Sequence, residues 1–199
     1  QVSLVANENY CLLIDKGITL NGNGYAITFN GKYDSRVINV KTTEAVVIEN
    51  LTIVTNGERG INVITKAADL TLNKVTATSA NYTLNVAKSS NGSVITINES
   101  ELNGANTVNV QGPATQIAIE DSTINCIDNS TAPSNEFSAL TLGKDAIGAK
   151  IVANETEITV TEGSDSVIAR NQAADGQILI NGESGNVVVN VAIIEDGAY

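Results

Sequence analysis

Leu70-Thr71-Leu72-Asn73-Lys74-Val75-Thr76-Ala77 sets two short alternating strands on either side of a polar pair. In each strand the apolar residues stand at i and i+2, so they share one face of an extended chain. The same grammar appears upstream in Val46-Val47-Ile48-Glu49-Asn50-Leu51-Thr52-Ile53 and downstream in Ile95-Thr96-Ile97-Asn98-Glu99 with Leu102. A loop and a third strand follow: Ile61-Asn62-Val63-Ile64 after the upstream copy, Thr83-Leu84-Asn85-Val86 after the middle one, and Val108-Asn109-Val110 after the last.

Working outward, the first copy is Ile18-Thr19-Leu20, Asn21-Gly22-Asn23-Gly24, Ala26-Ile27-Thr28-Phe29 and Arg36-Val37-Ile38-Asn39-Val40. Later copies run through Ile117-Ala118-Ile119, Glu120-Asp121, Thr123-Ile124 and Ala139-Leu140-Thr141-Leu142. Ile151-Val152, Asn154-Glu155, Ile158-Thr159-Val160 and Val167-Ile168-Ala169 come next. The last copy is Ile178-Leu179-Ile180, Asn181-Gly182 and Val187-Val188-Val189, with Val191-Ala192-Ile193 behind it. Polar pairs at 21, 49, 73, 98, 120, 154 and 181 are separated by 28, 24, 25, 22, 34 and 27 residues. A period near two dozen is that of a β-solenoid coil.

The fold expected is therefore all-β, a single right-handed parallel β-helix of about seven coils spanning 1–199 as one domain. Antiparallel sandwiches need no repeated three-strand grammar, and no 3.6-residue apolar stripe supports a helical repeat. Stacked coils lay like aliphatic residues upon one another in a dry interior, and Asn at the bend accepts a positive φ at modest cost.

Composition agrees with flat repetitive strands, because aromatic residues are only 4% of the chain. The formal charge of −11 leaves no basic stripe to neutralise phosphates, so nucleic acid is not expected as a partner, nor is an anionic membrane surface. No apolar run is long enough for a membrane span, and membrane insertion is not expected. Cys11 and Cys126 read as small buried hydrophobes about four turns apart, beyond disulfide reach. The chain opens at Gln1 without Met, which suggests a processed protein or a fragment of a larger surface protein.

Ile18-Thr19-Leu20-Asn21-Gly22-Asn23-Gly24-Tyr25-Ala26-Ile27-Thr28 resembles the opening coil of the pectin-lyase-like superfamily of right-handed β-helices. Val46-Val47-Ile48-Glu49-Asn50-Leu51-Thr52-Ile53 resembles its second coil, and the likeness of coil grammar extends from about residue 18 to 191. The resemblance speaks for fold and hardly for function, since that scaffold hosts lyases, hydrolases, esterases, phage fibres and adhesins.

The enzyme chemistries the resemblance implies mostly fail on residue types. Without histidine there is no His base, no Ser-His-Asp triad and no His-ligated zinc. The Gly-His and Arg-x-Lys elements of the pectinase-type glycosidases are missing. Pectate-lyase chemistry needs calcium and an Arg base, and the arginines fall at the start of a strand (Arg36), in a loop (Arg59) and after a strand (Arg170), so they are not expected to converge. Paired carboxylates alone remain the route for a polysaccharide-active lyase or hydrolase.

One insertion breaks the repeat: Cys126 to Phe137, which accounts for the 34-residue interval. Departures from a repeat are where solenoids place binding, so Glu120, Asp121, Asp128, Asn129 and Glu136 are the candidate ligand-binding residues. Asp128, Asn129 and Glu136 carry hard oxygen donors, suited to calcium at Asp128 and Glu136 or to a sugar. No other cofactor is expected. Tyr25, Tyr33 and Tyr82 offer rings for sugar stacking, but in this register they occupy separate turns. Outward Thr alternates irregularly with Lys, Glu and Asn, which counts against an ice-binding face.

The expected function is a non-catalytic extracellular or cell-surface module, adhesin-like, structural or glycan-binding. The expected partners are polysaccharide or a host or cell-surface protein, and open solenoid ends invite end-to-end stacking.

Overall fold

The computed structural model describes residues 10–127, 137–161 and 166–181. Every regular element among them is a strand, and the strands stack as a right-handed parallel β-helix of about six turns. β1 (Tyr10–Ile14) precedes the first full coil, which comprises β2 (Ile18–Asn21), β3 (Ala26–Phe29) and β4 (Arg36–Val40). β5 (Ala45–Thr55) with β6 (Arg59–Val63), and β7 (Asp69–Thr78) with β8 (Tyr82–Val86), make the next two. In these coils the first two strands of the repeat run on as one. β9 (Val94–Asn98), β10 (Glu101–Gly104) and β11 (Asn106–Val110) make the fourth coil, and β12 (Gln116–Glu120), β13 (Thr123–Cys126) and β14 (Ser138–Leu142) the fifth. The sixth is β15 (Lys150–Asn154), β16 (Glu157–Val160) and β17 (Val167–Asn171), and β18 (Gln177–Asn181) begins a seventh. The expected strands at 187–189 and 191–193 lie outside the described residues.

Among the described residues all strand pairs are parallel. One seven-stranded sheet, in the order β1-β4-β6-β8-β11-β14-β17, gathers the third strand of every coil. The other sheet gathers the first and second strands. Parallel pairing follows from coiling in one direction, each strand meeting its counterpart about 4.8 Å away.

The inward side chains form files set by this register. Ile38, Ile61, Leu84, Val108, Leu140 and Ala169 stand one above another in the third-strand sheet. Leu70, Ile95, Ile117 and Ile151 do so among the first strands, and all four are buried. The files are aliphatic, so coils with few rings still bury one continuous apolar core.

The bend after the first strand departs from expectation in one respect. In five coils the positive φ falls on the second member of the polar pair, whatever its type, with Asn50, Lys74, Glu99, Asp121 and Glu155 between 43° and 55°; in the first coil Asn23 and Gly24 take it instead of Gly22. The Asn residues mostly hold the first position, where they bond between coils. Asn21 donates to Glu49 at 2.7 Å, Asn154 to Glu120 at 2.6 Å, and Asn181 to Asn154 at 3.0 Å. The chain thus bends at a left-handed residue repeated along a column, with side-chain bonding one residue earlier.

Gly104 closes a tight bend, where only Ala105 separates β10 from β11. A Cβ there would lie 2.5 Å from the Asn81 carbonyl oxygen and 2.5 Å from Thr83 Oγ1, so the coil can approach its neighbour only at a glycine. Cys11 and Cys126 are both buried and free, as expected of small hydrophobes. Four full turns and part of a fifth separate them, since β1 reaches β11 in four steps of the sheet and Cys126 lies in β13, ahead of β14.

Candidate functional site

The outer face of the third-strand sheet forms a groove of about 520 Å³. A file of asparagines runs along it: Asn39, Asn62, Asn85 and Asn109 occupy equivalent positions in four successive coils, and the last three line the groove. The last three each donate from Nδ2 to the Oδ1 of the coil before, Asn62 to Asn39 at 2.8 Å, Asn85 to Asn62 at 2.7 Å and Asn109 to Asn85 at 2.7 Å. Gln111 continues the chain, donating to Asn109 at 3.1 Å. Gly143 makes room for it, since a Cβ there would fall 2.1 Å from Gln111 Nε2.

A primary amide offers two N–H donors and two lone pairs, and each ladder step uses one of each. The remaining donor and acceptor of every inner amide are left for whatever fills the groove. The four asparagines are only 4–6% exposed, so the groove has walls.

One wall is the file Arg36, Arg59 and Tyr82, which the register aligns at the first residues of β4, β6 and β8. Arg59 lies 5.7 Å from the Tyr82 ring centroid and 2.9 Å from Glu58. The Arg36 guanidinium is held below its ordinary value, first by burial and then by the charge of Arg59 beside it, with Glu58 and Asp34 opposing. Burial likewise pushes the Tyr33 phenol up, and Glu58, Arg59 and Tyr82 are among its electrostatic neighbours. The other wall is Ile64, Ala87 and Gln111, closed by Lys88 in contact with Asp145 at 2.7 Å.

This corrects the sequence reading of the arginines. Arg59 opens a strand instead of lying in a loop, Arg170 lies within β17, and Arg36 and Arg59 are neighbours. Only Arg170 stands apart, in the sixth coil. The tyrosines need the same correction: Tyr25 and Tyr33 share the first coil, Tyr25 is 77% exposed at a bend, and Tyr33 and Tyr82 stand close although two coils separate them. Two coil steps amount to only about 10 Å, so residues on different turns still share one site.

A signal for this site is present in the sequence. Ile38-Asn39-Val40, Ile61-Asn62-Val63, Leu84-Asn85-Val86 and Val108-Asn109-Val110 recur at intervals of 23, 23 and 24 residues. Aligning the coils on that Asn, rather than on the polar pair at the first bend, puts Arg36 above Arg59 and Tyr82.

The residues singled out around the insertion are placed differently. Glu120 ends β12, and its carboxylate accepts the bond from Asn154. Asp121 supplies the positive φ of the same bend. Strand β13 separates both from Ile127, where the insertion departs. Asp128, Asn129 and Glu136 lie outside the described residues. Among the described residues no three Asp, Glu or Cys side chains gather as a metal site.

Compared with known protein families, curated proteins and solved structures, the chain matches none.

Proposed function

We propose that the protein is a non-catalytic extracellular or cell-surface module that binds a glycan strand along the outer face of its third-strand sheet. The observation that carries this reading is the walled amide ladder, with donors and acceptors repeating through four successive coils beside the Tyr82 ring. Sugar hydroxyls donate and accept at once, so a file of amides meets them with both partners, and a tyrosine ring takes the apolar face of a pyranose. The groove is open along the helix, which suits a chain more than a small molecule.

The carboxylates near the groove support binding over hydrolysis. Glu58 is paired with Arg59 on one wall and Asp145 with Lys88 on the other, so neither is a free acid or base facing a shared substrate atom. The acidic, histidine-free composition suits display outside the cell.

A glycan panel probed with the full chain tests the reading. Wild type is expected to retain a defined subset of glycans, and Tyr82→Ala to weaken binding at least about tenfold, or about 1.4 kcal/mol, with an unchanged far-ultraviolet spectrum. Silence across the panel, or equal binding by Tyr82→Ala, removes it. The calcium expected at Asp128 and Glu136 remains a separate part of the proposal, resting on the insertion's hard oxygen donors. Calcium is expected to raise Tm and chelator to lower it, and an unchanged Tm in both rejects the cation.

A further inference from the structure

We infer that Arg36 and Arg59 form a receptor for an oxyanion, a sulfate ester or carboxylate carried on the bound ligand. The inference rests on the glycan reading for the nature of the carrier, but the receptor itself stands on geometry. Parallel register places the two guanidinium-bearing residues side by side in adjacent coils, at the edge of the groove. Like charges at one coil spacing repel, and the repulsion is strongest where water is excluded.

The existing counter-charge is incomplete. Glu58 contacts Arg59 at 2.9 Å, and among the described residues Arg36 has no ion pair. The Nε atoms of both arginines are buried without a hydrogen-bond partner among the described residues. A buried donor left unpaired is costly, and an oxyanion seated against the two adjacent guanidinium groups that line the groove would supply the counter-charge that Glu58 alone does not. Tyr82 and Glu58 brace Arg59 from two sides, so the fork is held in place before any ligand arrives.

Titration calorimetry of the full chain with sodium sulfate, phosphate and acetate, at constant ionic strength in chloride, tests the receptor. Saturable one-site binding is expected, weakened at least tenfold in Arg36→Gln and in Arg59→Gln, with Lys150→Gln, on a different sheet, binding as wild type. Stronger sulfate than acetate binding assigns a sulfate ester, and the reverse order assigns a carboxylate.

Should a variant fail to fold, the arginine Nε–H signals of the wild-type protein replace it, and two of them are expected to shift with saturation. A non-saturating sulfate response that persists in both variants is the general salting effect and overturns the receptor. Saturable anion binding by a protein that binds no glycan keeps the receptor and removes the glycan reading. Glycan binding that is equal for neutral and anionic forms, and unaltered by Arg36→Gln, does the opposite.

Discussion

Replacing Asn85 with alanine is expected to destabilise the protein by about 2–4 kcal/mol. Asn85 stands in the middle of the buried ladder, donating to Asn62 at 2.7 Å and accepting from Asn109 at 2.7 Å. Its loss removes two bonds and leaves the Asn62 oxygen and the Asn109 amide without those partners, in a ladder whose members are nearly buried. Each orphaned group costs about 1–3 kcal/mol when buried, more than the net worth of a satisfied bond. The solvated ladder at the first bend supplies the comparison. Asn154 bonds in the same manner to Glu120 and Asn181, but Asn181 is exposed, and water can replace what is lost there. Asn154→Ala is therefore expected to cost about 1 kcal/mol or less. Urea denaturation of the two variants beside wild type measures the difference, and equal costs would show that burial does not govern these ladders.

The second large effect is expected at Leu84. Leu84→Ala should cost about 2–5 kcal/mol, the range for truncating a fully buried leucine. Leu84 is 0% exposed and lies between Ile61 and Val108 in one aliphatic file. Neighbouring coils cannot collapse into the space, because the backbone ladders on both sides fix their spacing. In a solenoid each coil contacts only its neighbours, so the damage is local in space. Amide exchange should accelerate most in β6, β8 and β11, with β15 and β18 far less affected. A loss below about 1 kcal/mol, or uniform acceleration throughout, would mean that the files are not closely packed.

Much of this fold can be read from the residues. Alternating Leu70-Thr71-Leu72 and Val75-Thr76-Ala77 become the two halves of β7, and the corresponding pairs fall on strands through β18. Periodicity is local information: an i, i+2 pattern commits a face within a few residues, and its recurrence implies stacking. The bend residues were legible as positions but not by role. Lys74 and Glu99 take the positive φ that Asn was expected to take, because the coil geometry at these bends imposes it on the position and not on a residue type.

The candidate site was hidden for a related reason. Counting from the first bend aligns the first strands, while loops of unequal length precede the third strands and obscure their alignment. Arg36 and Arg59, 23 residues apart, therefore fell into unlike structural classes although they are paired in register. The insertion drew attention because it was long, and length is easier to see in a sequence than concavity.

By itself the sequence determined that the chain is a parallel β-solenoid, which strands recur, and which side chains turn inward, since those follow from local alternation and its period. Only the tertiary structure decided that four asparagines join in one buried ladder and that two arginines and a tyrosine wall a groove above it. Those contacts depend on the register between coils, where hydrogen bonding between strands turns some two dozen residues of sequence into about 4.8 Å of space.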